Sequence, residues 1–371
     1  MTAQPDQTGN ASGQIIISVD AMGGDAGPSV VVAGIAKSAK KNPHVGFILH
    51  GPEDGLKKLV AKRRVLDGRV VFRDCTDVVT MEDKPSQVVR NGKNTSMWST
   101  LESVRNGEAA GAVSCGNTGA LMALSMLRLR RLPGVTRPAI AILFPSGNPQ
   151  GFNVLLDAGA DIRADARDLL QYALMGASYA RNGMNLPRPR VGLLNVGTEE
   201  HKGKAELKEA QALIADYAER ANYEFVGFVE GSDIPGKRCD VIVTDGFTGN
   251  VAIKTGEGTA RMIGSLLREA FKYSPLSRLA SLLAVTSLQR LSKRIDPRRV
   301  NGGVFLGLNG TVIKSHGSAD ATGISAAVKL AFTLAQSGFA ERLAARVASA
   351  AALTQDEPAP AGAQAEEQES R

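Results

Sequence analysis

Strand-like and helix-like segments alternate along almost the whole chain. IIISVD precedes SVVVAGIAKSAKK, VGFILHG precedes GLKKLVAKRR, AAGAVS precedes ALMALSMLRLRR, FNVLLDAG precedes ARDLLQYALMGASYAR, and RVGLLNVG precedes AELKEAQALIADYAER. RVVFRD, PAIAILFP, YEFVGFVEG and CDVIVTDG add further strand-length runs. Such alternation implies crossover units, and crossover units build a mostly parallel sheet flanked by helices, an α/β fold. Residues 1–13 and 346–371 read as disordered from their Ala, Gln, Glu, Pro and Gly content, the second as an acidic tail; residues 14–345 form the α/β domain between them.

In sheets of this kind ligands bind beyond the carboxyl ends of the strands. Five segments leave those ends: VDAMGGDAG with Asp20, Gly23, Gly24 and Asp25; SCGNTGA with Gly116, Asn117, Thr118 and Gly119; LDAGAD; NVGTEEHKGKA with His201 and Lys202; and TDGFTGNVAIK with Asp245, Gly246, Gly249 and Asn250. Their expected placement is one end of one sheet, a polar crevice with converging backbone donors. A helix start leaves N–H groups unpaired and carries partial positive charge, so GNTG suits an anion, while an ordinary turn or N-cap explains the same residues. Asn250 reads equally as the cap of a helix beginning at Val251. His201, Lys202 and Lys204 precede a helix, where cations oppose its dipole unless an anion lies between; a solvated charge run is the alternative.

Several chemistries are disfavoured. The chain has no G-x-x-x-x-G-K-[ST] loop, no H-E-x-x-H and no G-x-S-x-G, so neither a metal nor a cofactor is expected, and GGDAG lacks the spacing of a dinucleotide fingerprint. Cys75, Cys115 and Cys239 are too few for a disulfide framework and read as reduced thiols. Cys115 lies in the GNTG loop as a possible nucleophile, although a small buried thiol accounts for it better. With no bilayer-length apolar run and a polar start, the expectation is a cytoplasmic protein.

The net charge of +7 is unevenly spread. Residues 260–300 hold nine basic side chains against Glu269 and Asp296. The segment 259–300 also carries an apolar stripe, Met262, Ile263, Leu266, Leu267 and Phe271, interrupted at Pro275 and resumed at Leu279, Leu282, Leu283, Leu288 and Leu291. Two amphipathic helices result, an amphipathic hairpin suited to a subunit contact or to a membrane surface.

Taken together, VDAMGGDAGP, GNTGALM, LLNVGTEEHKGK, DGFTGNVAIK and GLNGTVIKSHGSAD resemble the bacterial phosphate acyltransferases of phospholipid synthesis, over residues 15–335. The resemblance implies a Rossmann-like three-layer α/β/α sandwich related to phosphate acetyltransferases, a homodimer, and peripheral association with the inner face of the cell membrane through the helical segment. It implies acyl carrier protein thioester and inorganic phosphate as substrates and acyl phosphate as product. A downstream glycerol-3-phosphate acyltransferase is an implied partner, and nucleic acid is not. On this reading Asn117, Thr118, Asn250 and Lys202 offer donors to phosphate and oxyanion, and His201 or Lys202 protonates the departing thiol. Where the family usually has Ala before GNTG this chain has Cys115, which weakens a covalent role for the thiol. Two other classes compete: an NAD-dependent dehydrogenase of the isopropylmalate dehydrogenase type, for which the metal and ribose carboxylates cannot be placed, and a membrane-surface scaffold, which leaves the polar loops without purpose.

Overall fold

The structure, a computed structural model, describes residues 14–295 and 302–355. The described strands are β1 (Ile15–Asp20), β2 (Val45–Gly51), β3 (Val70–Asp74), β4 (Gly111–Ser114), β5 (Ala139–Pro145), β6 (Phe152–Leu156), β7 (Arg190–Leu194), β8 (Glu224–Val229), β9 (Val241–Val243), β10 (Gly303–Leu306) and β11 (Val312–Lys314). They form one sheet in the order β3-β2-β1-β4-β11-β10-β5-β6-β9-β7-β8. The helices are α1 (Pro28–Lys41), α2 (Glu53–Val60), α3 (Pro85–Asn91), α4 (Ser96–Arg105), α5 (Thr118–Arg128), α6 (Ala166–Met184), α7 (Ala205–Tyr217), α8 (Gly246–Lys272), α9 (Pro275–Leu283), α10 (Val285–Ile295), α11 (Ala321–Gln336) and α12 (Phe339–Gln355).

Side chains alternate across each strand, and the alternation sorts the core into two layers. Ile17, Val19, Val113, Val154, Leu156, Val304 and Ile313 join one cluster with Ile35 of α1, Leu169 of α6 and Ile324 of α11. The intervening Ala112, Phe305 and Val312 pack on the other face against Leu101 of α4 and Leu121 of α5. Leu155 and Ile242 pack against Ile253 of α8. Helices thus cover both faces, the expected three-layer sandwich, and each large aliphatic chain buried this way contributes about 1.5–3 kcal/mol.

Seven strand pairings are parallel, but β10 runs antiparallel to both β11 and β5, and β5 antiparallel to β6. Three reversals lie between β11 and β6. The strands β3-β2-β1-β4-β11 therefore point one way and β6-β9-β7-β8 the other, which corrects the expectation of five loops at one end. The loops after β1, β4 and β11 leave one edge of the sheet, and those after β6, β9 and β7 leave the opposite edge. At the waist β11 has three residues and β10 four, so about 10–13 Å separates the two edges there.

The basic apolar segment departs from the body. Its first helix is the distal part of the 27-residue α8, whose buried residues are only Gly246, Gly249 and Ile253. Pro275 breaks the path because Ser274 caps α9, its hydroxyl accepting from Ser277 N–H. The second expected helix is divided at Ala284 into α9 and α10. Met262, Ile263, Leu266, Tyr273, Leu276, Leu279, Leu282 and Leu283 are exposed, Tyr273 by 91% and Leu283 by 81%. At the other end, α12 continues to Gln355, past position 346 where the sequence suggests a tail, and buries Val347. Residues 1–13, 296–301 and 356–371 lie outside the described residues.

Candidate active site

At the first edge three loops interlock. Asp20, the last residue of β1, is buried and accepts from Ser96 Oγ (2.7 Å), Ser114 Oγ (2.7 Å) and Met22 N–H (3.1 Å). Burial raises its pKa, and those hydrogen bonds oppose the rise. Gly23 follows because a Cβ there would stand 2.6 Å from Asp20 Oδ2 and 2.7 Å from Gly116 N. A Cβ on Gly24 would touch that of Cys115, and Asp25 N–H donates to Gly317 O at 2.9 Å. The loop after β1 is thereby tied to those after β4 and β11.

The start of α5 fits the sequence expectation. Asn117 is its N-cap, with Oδ1 accepting from Ala120 N–H at 3.1 Å while Nδ2 donates to Met81 O and Asp83 O, both 3.0 Å. Its side chain is thus committed to holding the loop, as the cap reading requires. Thr118 and Gly119 are exposed in the first turn, where backbone donors have no helical acceptor. Cys115 is buried, and burial pushes its thiol up to about 11. A thiol held protonated is a poor nucleophile. Cys75 and Cys239 are likewise free and buried.

At the second edge Asp157 is the organising carboxylate, accepting from the backbone N–H groups of Ile140, Gly159, Ala160 and Asp161. Gly249 sits against it: a Cβ there would land on the Asp157 carbonyl oxygen. The helix cap here is Asp245, not Asn250. Asp245 Oδ1 accepts from Thr248 N–H at 2.8 Å, and Gly246 N–H donates to Asp161 O at 2.7 Å, so α8 begins five residues before Val251. Asn250 lies exposed in the second turn, beside Gly159. Lys202 is exposed in the loop before α7, paired with Glu199 at 2.7 Å, and its carbonyl accepts from Asn195 Nδ2. His201 beside it is exposed.

The structure does not gather these residues into one cluster. Lys202, His201 and Asn250 belong to the second edge, and Asp20, Gly23, Gly24, Asp25, Gly116, Asn117, Thr118 and Gly119 to the first. What joins the edges is α8, which crosses the face of the sheet past Phe144 of β5, whose ring would meet a Cβ on Gly256. One turn beyond Asn250, Lys254 acts electrostatically on Lys314 and His316 of the first edge. The segment GLNGTVIKSHGSAD adds Lys314 and His316 to the first edge, neither of them in the five loops that the strand pattern singles out. Lys314 Nζ donates to Cys115 O (3.4 Å) and Ser315 O. His316 Nδ1 lies 2.8 Å from Ser318 Oγ. Burial lowers the His316 pKa, with the Lys254 charge acting in the same direction. Among the described residues no group of three or more His, Cys, Asp or Glu is placed to hold a metal ion.

The model of the fatty acid synthesis protein family matches residues 15–342. The chain belongs to that family. It is 97% identical over its full length, and the relative's, to a phosphate acyltransferase of Ruegeria pomeroyi. It is 78% identical to one of Ruegeria sp. (strain TM1040), over 94% of this chain and 93% of the relative. As a member it is an acyltransferase of lipid synthesis, which sets aside the dehydrogenase and scaffold alternatives. Its fold is similar to that of a phosphotransacetylase from Streptococcus pyogenes, with a TM-score of 0.57, 17% identity, and coverage of 87% of this chain and 95% of that one. The EutD phosphotransacetylase from Staphylococcus aureus gives 0.55 at 16% identity, covering 87% and 94%.

Proposed function

We propose that this acyltransferase moves a fatty acyl group from acyl carrier protein thioester to inorganic phosphate, giving acyl phosphate for phospholipid synthesis. The observation that carries the reading is the first edge: an open helix start at Thr118–Gly119, with Lys314 Nζ donating to the Cys115 carbonyl just ahead of it. Backbone N–H groups and ammonium charges suit a small dianion. An oxygen of hydrogen phosphate attacks the thioester carbonyl, the C–O bond forms, the C–S bond breaks, and the phosphate's proton ends on the departing sulfur. No redox step is needed. In this reading phosphate attacks directly, since burial raises the Cys115 pKa and disfavours the thiolate that a covalent route needs.

Lys202 and His201 serve the donor side in this reading, relaying that proton to the departing sulfur, and Asn250 offers an amide to the oxyanion. The exposed stripe of α8 and α9 supports a homodimer or a contact with the cytoplasmic membrane surface, where acyl phosphate would pass to a glycerol-3-phosphate acyltransferase. No described helix is long and apolar enough to cross a membrane. The decisive assay supplies acyl carrier thioester and phosphate without NAD or metal. Free carrier thiol and an acyl phosphate trapped as hydroxamate by hydroxylamine are expected; thiol release that ignores phosphate overturns the reading.

A further inference from the structure

We infer that a cavity at the second edge, formed by Met126, Arg130, Arg131 and the loop 132–135, holds the phosphodiester through which a carrier protein bears its thioester arm. The inference rests on the reading above that such a thioester is the acyl donor, and it gives that donor a place. The cavity measures about 480 Å³ and opens to solvent, a volume in the range of small-ligand sites. It lies at the second edge because β10 ends there and β5 begins there. The loop is fastened on two sides. Asn309 N–H donates to Arg130 O (3.0 Å) and Leu132 N–H to Gly307 O (2.9 Å), while Gln171 of α6 donates to Gly134 O and accepts from Thr136 N–H.

Arg128, Arg130, Arg131 and Arg137 follow closely in sequence, and their partners sort them. Outside the cavity, Arg128 pairs with Glu102 and stacks over the Trp98 ring at 4.5 Å, and Arg137 pairs with Asp161 at 2.7 Å. The two that line it meet no carboxylate among the described residues: Arg131 donates to the Thr136 carbonyl, and exposed Arg130 has no side-chain partner there. Arg130 also has a φ of 65°, a conformation that a long side chain adopts at a cost. The fastened loop imposes it, and such positions gather at ligand clamps. Guanidinium N–H groups fit phosphate oxygens in pairs, and exposed Met126 supplies an apolar wall for the methyl groups next to the phosphate in the arm. From phosphate to sulfur the arm is as long as about four extended residues, roughly 14 Å. Three strand steps along the edge, from β5 through β6 and β9 to β7, also cover about 14 Å and bring the thioester to Asn250 and Lys202.

The test measures thiol release by the full-length protein from two donors, acyl carrier protein and acyl-pantetheine, the second of which lacks the phosphodiester. Arg130→Asn removes the guanidinium and leaves a residue that takes a positive φ readily. It is expected to raise the KM for the carrier thioester about fivefold or more, with kcat and the KM values for acyl-pantetheine and inorganic phosphate unchanged. Arg64→Gln, which removes the same charge ahead of β3, should behave as the wild type does. The inference is overturned if Arg130→Asn keeps the wild-type carrier KM at an unchanged melting midpoint, if both donors lose equally, or if Arg64→Gln has the same effect. A raised KM for inorganic phosphate would make the occupant the acceptor, and weaker binding to phosphatidylglycerol vesicles at an unchanged carrier KM would make it a lipid headgroup; either result overturns it. Should Arg130→Asn fail to fold, Arg131→Gln decides by the same measurements. Failure of the phosphate-transfer reading looks different: wild-type thiol release then ignores phosphate while the carrier KM still depends on Arg130.

Discussion

At the first edge Asp20, Ser96, Ser114, Asn117 and Asp25 spend their polar atoms on one another's loops, and Lys314 stands among them half-buried. At the second edge Asp157 and Asp245 are equally committed to backbone, yet Lys202, His201 and Asn250 stand in solvent. The difference separates loops locked to one another from a loop whose side chains, Lys202 in its exposed pair with Glu199 among them, stay open to solvent. A small rigid anion suits the former, because its binding need not order anything. A large substrate delivered on a carrier suits the latter, where open side chains can meet it from many directions.

The most forceful way to break this contrast is Lys202→Ala. If the open edge takes part in chemistry, turnover with phosphate falls on the order of a hundredfold, because a charge facing the transition state is worth far more than an exposed ion pair. Steady-state assays on the purified variant check this, and near-normal turnover confines catalysis to the first edge.

A second test probes the rigidity behind the first edge. His50 is fully buried between Ser18 Oγ (2.8 Å) and Ser99 Oγ (2.9 Å), and burial pushes its pKa down to about 3. The unfolded chain binds this proton below pH 6.5 and the folded chain does not until about pH 3. Stability is therefore lost as pH falls through that window, at about 1.4 kcal/mol per pH unit. His50→Gln should lessen the slope between pH 6 and pH 5 by about that amount in urea unfolding. An unchanged slope means that His50 is protonated in the fold.

Asn117→Ala is a smaller perturbation. It removes the α5 cap and the amide bonds to Met81 and Asp83, and should lower stability by about 1–2 kcal/mol. A higher phosphate KM at unchanged melting midpoint would instead make Asn117 a ligand. The least change to the fold is expected from Leu282→Glu, within about 0.5 kcal/mol, since that side chain is already exposed. The variant should come off anionic vesicles at any salt concentration; conversion of a dimer to a monomer in light scattering, with vesicle binding intact, makes the stripe a subunit interface.

Much of this was legible in the chain. Alternating segments gave the layers, and Asn117 was readable as a cap from its place before an apolar helix. The reversal of strand direction was missed, although its signal was present: SGNPQG between PAIAILFP and FNVLLDAG is far too short for a parallel crossover, which needs a dozen or more residues. The start of α8 was misplaced because DG and GN both resemble helix entries, and only contact with Asp161 and Asp157 favours the former. Lys314 escaped because a three-residue strand between glycine-bearing turns shows no alternation from which its facing could be read.

The glycines of α8 bear on mechanics as well as packing. From Gly246 to Lys272 the helix is about 40 Å long, and rigidly it would act as an oar, carrying any tilt of its exposed end back to Lys254. Gly256 and Gly258 lie two and four residues after Lys254, at the point where the helix passes Phe144 and leaves the sheet. Each costs about 1 kcal/mol of helix stability relative to alanine, so bending concentrates there. The blade of the oar can thus settle against whatever surface it meets while its handle, with Ile253 packed on Leu155 and Ile242, stays seated on the sheet.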